Sequence, residues 1–243
     1  MRGMFHAAVW LLLFALITAG IITLTLRPAA AAACPQCFGL QKAADGIYLQ
    51  SGMDAAQCQR ALAAVDAARL EAAQFYDGLQ HSPRILVCAD DACYHRLGGA
   101  PGTAVGSLSS LSLEVAPRGL DPVYIAAGLS RAEVQGRVGF WKFSLGAVPM
   151  WFDEGVAVVV ADDPAYILPP GRGDRCKAGS FPGMPATPSD WQQELQQEGD
   201  VLYAQSACKT AMWMAQNGGA KAVTGLLDKL AQGQDFATLV PPR

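Results

Sequence analysis

Residues Val123 to Asp163 read VYIAAGLSRAEVQGRVGFWKFSLGAVPMWFDEGVAVVVADD, and the rest of the chain is arranged around them. The spacing predicts two helices. The first runs from about Pro122 to Arg137, with Asp121 as N-cap and Pro122 in the first turn, where its missing N–H costs nothing. The second starts after Pro149 and runs over Met150 to Val160. Its unbroken GVAVVVA run implies burial on nearly every side; the acidic pair Asp153 and Glu154 at its head looks exposed, and a buried or half-buried Glu154 needs a partner. Phe140, Trp141 and Phe143 form an aromatic connector between the two helices.

The segment Trp151 to Ala157, WFDEGVA, resembles the W-x-x-E-G-x-A half of a gluzincin-type zinc metallopeptidase site, in which the Glu is the third zinc ligand. Counted back along that arrangement, the H-E-x-x-H helix falls on Ala127-Gly128-Leu129-Ser130-Arg131. Ala127 stands at the first His, Gly128 at the Glu and Arg131 at the second His. H-E-x-x-H works because residues four apart share a helix face, so two imidazoles hold one Zn²⁺ while the Glu activates its water. Ala127 has no donor atom, Gly128 no base, and Arg131 is a fixed cation. Only Glu154 of the constellation is left, so no cofactor is expected, and an Arg131–Glu154 ion pair is expected in place of the metal.

The resemblance covers about Leu111 to the C-terminus. It implies an α+β, zincin-like fold: a small mixed sheet, a long packing helix, two central active-site-type helices and a C-terminal helical subdomain starting near Tyr203, which in relatives can lie near the cleft. Upstream, Ala55 to about Leu79 repeats apolar residues at helical intervals behind Asp54, and Arg84 to Cys88 is a short buried strand candidate. Leu111, Leu113 and Val115 alternate with polar residues, which argues for a half-buried strand. By the resemblance this is the edge strand against which a peptide lies, and an open edge binds extended chains without any chemistry.

The chain has 243 residues, 51% of them hydrophobic, and a net charge of −3. A pI near 5.6 gives no basic footprint for nucleic acid. Met1 to Gly3 is a short basic flank within residues 1–6, expected as a cytoplasmic n-region. Ala7 to Leu26 is free of charge and long enough to span a bilayer, so a transmembrane signal anchor with the body on the extracytoplasmic (periplasmic or extracellular) side is expected. The small-residue zone Ala29 to Ala33 keeps cleavage open. Residues 27–40 read as a linker, 41–120 as an α/β subdomain and 121–243 as the helical subdomain.

Seven cysteines come after the apolar run, and in an exported chain they read as disulfide material. Spacing suggests Cys34–Cys37 and Cys88–Cys93. Cys176–Cys208 would tie a Pro/Gly-rich loop to a C-terminal helix, leaving Cys58 unpaired. The function expected is that of a pseudopeptidase binding an unidentified peptide or protein partner. Two alternatives remain: an active zinc peptidase using Glu154 with His81 or His95, and a redox or chaperone-like protein using the C-x-x-C of Cys34 and Cys37.

Overall fold

The computed structural model describes residue 10 and residues 27–108, 110–171, 174–179 and 183–241. Its sheet is built from β1 (Leu40–Ala44), β2 (Ile47–Gln50), β3 (Arg84–Val87), β4 (Val105–Leu108) and β5 (Ser112–Val115), in the order β1-β2-β3-β5-β4. The three inner strands are parallel, and the two edges pair antiparallel. The helices are α1 (Ala55–Tyr76), α2 (Asp91–Leu97), α3 (Pro122–Val138), α4 (Phe140–Ser144), α5 (Met150–Val160), α6 (Pro188–Glu198), α7 (Val201–Asn217), α8 (Ala220–Ala231) and α9 (Phe236–Leu239).

Helix α1 begins in a capping box: Gln57 N–H donates to Asp54 Oδ1 at 2.7 Å, and Asp54 N–H donates to Gln57 Oε1 at 2.9 Å. Its buried stripe of Ala61, Ala64, Val65, Ala68, Ala72 and Tyr76 recurs every three or four residues and is mostly alanine, which lets α1 lie close against α3. One hydrophobic cluster then runs from Ile47 and Leu49 through α3 and α5 to Phe236. A second, on the other face of the sheet, gathers Ala31, Leu40, Leu86, Tyr94 and Leu97. Residues 27–33 are helical and lie on that face, where the Arg84 guanidinium donates to the carbonyls of Ala32 and Ala33.

The expected fold class is corrected. The molecule is a mixed α/β body with a five-stranded mixed sheet, and among the described residues no helix is long and apolar enough to cross a membrane. The reason lies in the helices themselves. Helix α1 has the length but carries Arg60, Asp66, Arg69 and Glu71, while α5 is apolar but spans 11 residues. The span expected at 7–26 falls outside the described residues apart from Trp10.

The strand expected at Leu111, Leu113 and Val115 is present but is not the edge. The alternating stretch at Ser112–Val115 is an inner strand, buried on both faces, and Val105–Leu108 takes the edge. Alternation misleads here because Ser112 Oγ donates to Glu114 Oε1 at 2.6 Å, so both polar side chains sit buried beneath the second cluster. The three cysteine pairs, Cys34–Cys37, Cys88–Cys93 and Cys176–Cys208, are disulfide-bonded, and Cys58 is free.

Candidate functional site

Helix α3 starts where Asp121 accepts the Val123 N–H at 2.9 Å. From there Ala127 and Arg131 fall one turn apart on a single face. Helix α5 is positioned from outside: the N–H groups of Met150 and Trp151, which lack helical partners, donate to Ala186 O at 2.8 Å and Pro185 O at 3.2 Å. This contact fixes the head of α5 opposite the middle of α3. There Arg131 Nε donates to Glu154 Oε2 at 3.1 Å, and Arg131 Nη2 reaches the same oxygen. Burial works against the guanidinium's charge, but the Glu154 carboxylate outweighs it and holds Arg131 above its ordinary value.

Asp153 has no such partner. It is 2% exposed and its Oδ1 accepts no hydrogen bond. Burial first, and the neighbouring Glu154 charge second, push its carboxyl up to about 8, with Arg131 offsetting part of this. Asp153 is therefore held largely as the neutral acid at neutral pH.

Arg131 opens onto a cleft of about 450 Å³. One wall is the edge strand β4 with Val105, and the floor is α3 with Tyr124 and Ala127. The far wall carries Asp163, Tyr166, Asp200 and Tyr203. The Tyr203 ring lies 5.3 Å from that of Tyr166 and 5.4 Å from that of Trp191. Burial, then the carboxylates of Asp200 and Asp163, push the Tyr166 hydroxyl up to about 12.

Of the residues singled out in the sequence, Ala127, Arg131 and Tyr203 line the cleft, with Glu154 behind Arg131. Gly128 does not face it. A Cβ there would meet Val105 Cγ1 at 3.2 Å and the Leu113 methyls at 3.4 Å, so this position is pressed against the sheet. His81 and His95 are not cleft residues. The His81 ring lies against Gly136, 3.6 Å from Glu133 Oε2, and His95 Nδ1 is 3.0 Å from Gly99 O, just beyond α2. Buried Glu133 is a structural clamp, accepting from Gln80 N–H, His81 N–H and Arg137 Nε at 2.7–2.9 Å.

Nothing in the sequence marks Asp163, Tyr166 and Asp200 as cleft residues. Asp200 reads in sequence as the N-cap of α7, but its side chain makes no capping bond there. Only the fold shows that this exposed residue is part of the cleft's lining.

Zinc does not fit this donor set. Arg131 occupies the space between α3 and α5 as a hydrogen-bond donor, and Glu154 is already its acceptor. Among the described residues no group of three His, Cys, Asp or Glu side chains is placed to hold a metal ion. Compared with known protein families, curated proteins and solved structures, the chain has no match in any of the three.

Proposed function

We propose that this chain is a metallopeptidase-like binding protein of the gluzincin type, one that holds an extended peptide or a segment of a protein partner without cutting it. The observation that carries this reading is the Arg131–Glu154 pair at the base of a cleft bordered by a sheet edge. Among the described residues strand β4 pairs only with β5, which favours strand addition at its outer side alongside Arg131. Arg131 keeps positive charge where the resemblance puts a metal, but a guanidinium that cannot be deprotonated generates no hydroxide, and Gly128 supplies no base. Three disulfides suit a compartment that oxidises thiols, and the proposed site of action is extracytoplasmic.

The test uses a pool of end-blocked peptides with the purified chain. Saturable binding that survives chelator, without new fragments by mass spectrometry, is the expected result. Stoichiometric zinc together with chelator-sensitive hydrolysis would overturn it.

A further inference from the structure

The cleft's charges do not balance, and the imbalance has a sign. Arg131 is neutralised by Glu154, and Arg118 is neutralised by Asp91 at 2.7 Å. Asp163 and Asp200 have no cationic partner among the described residues, so the cleft is left with two uncompensated carboxylates.

Asp163 is 8% exposed, which is a costly place for a carboxylate without a counter-charge. Its Oδ1 accepts the Ala165 N–H at 2.8 Å, a local turn contact that brings no positive charge. Asp200, exposed at the head of α7, makes no capping bond to that helix and lines the same cleft. The rings of Tyr166 and Tyr203, tilted with centroids 5.3 Å apart, line the same cleft, and aromatic faces attract a cation held against them.

Resting on the peptide-binding reading, we infer that the ligand presents a basic side chain, lysine or arginine, to Asp163 and Asp200 across the faces of Tyr166 and Tyr203. A cation entering here gains two carboxylates in a partly desolvated cleft. An acidic side chain meets repulsion from the same pair.

The experiment titrates the full chain with acetyl-Ala-Ala-X-Ala-Ala-amide, where X is lysine, norleucine or glutamate, by isothermal calorimetry at low salt. The lysine peptide is expected to bind about tenfold or more tightly than the norleucine peptide, and the glutamate peptide more weakly than either. Asp163→Asn with Asp200→Asn is expected to bring the lysine-to-norleucine ratio to near one, with a cooperative melt showing that the variant is folded. Equal binding of all three peptides keeps the peptide-binding reading and overturns the basic-residue inference, as does a preference for glutamate. If no peptide binds, the peptide-binding reading falls. The inference is then decided by n-butylammonium against butyrate, monitored by NMR of the tyrosine rings. Saturable n-butylammonium binding lost in the double variant supports it, and no such binding overturns it.

Discussion

Asp153 and Glu154 are consecutive on α5 but meet different surroundings: Glu154 is ion-paired to Arg131, whereas Asp153 is fully enclosed with an oxygen that bonds to nothing. One turn of helix thus holds a carboxylate stabilised by charge and another kept neutral by burial. Through this pair stability answers both to the loss of a cation and to pH.

Arg131→Met leaves Glu154 with its charge and no partner, in a position 8% exposed. A loss of about 3 kcal/mol is expected from urea unfolding, and Arg131→Met with Glu154→Gln should recover much of it. A single variant as stable as the parent would show that the pair does not hold α3 to α5.

Asp153 makes stability depend on pH with a definite sign. Its folded value near 8 is above the unfolded value near 4, so between these limits the folded state holds a proton that the unfolded state has released. The stabilisation is complete below about pH 4 and is lost as pH rises through about 8. Asp153→Asn should remove this component, flattening the decline of the urea midpoint between about pH 5 and 8. Parallel curves for variant and parent would sink the assignment.

Cys176–Cys208 closes the longest of the three disulfide loops, with a separation of 32 residues. By loop entropy its removal as a double serine variant costs about 4 kcal/mol, against about 2 kcal/mol for Cys34–Cys37. Cys176 also bridges to Ile167, next to Tyr166, so the same variant should weaken peptide binding. Thermal melts and the peptide titration read the two effects separately.

Rebuilding the metallopeptidase motif separates packing from chemistry. Ala127→His with Arg131→His, using Glu154 as third ligand, is expected to take up about one zinc per chain by elemental analysis. Gly128→Glu is expected to cost about 3 kcal/mol, because its side chain must displace Val105 and Leu113 and bring a carboxylate into that contact. Failure of the two-histidine variant to bind zinc would mean that α3 and α5 are not set at metallopeptidase spacing.

The helices of this body are legible in the sequence because their signals are local. Asp54, Asp121 and Pro149 mark starts, and alanine or valine periodicity fills the turns beyond each of them. The sheet is less legible. Which of two short strands becomes the edge depends on what pairs outside it, and Ser112 and Glu114 satisfy each other in a way that alternation does not reveal. Of the cleft, Arg131 and Glu154 can be found through motif spacing. Asp163, Tyr166 and Asp200 cannot, because they converge from the Pro/Gly-rich loop and the head of α7 only once both have folded.

Helices α5 and α7 approach so closely at Gly155 that an added Cβ would lie 2.2 Å from Thr210 Oγ1 and 2.5 Å from Ser206 O. On the preceding turn of α5, Phe152 stacks edge-on with Trp213 and Phe236. Close packing therefore accounts for Gly155 and Phe152 of W-F-D-E-G-V-A with no ion involved. Part of the signature of a cutting enzyme is held in place here because two helices have to touch.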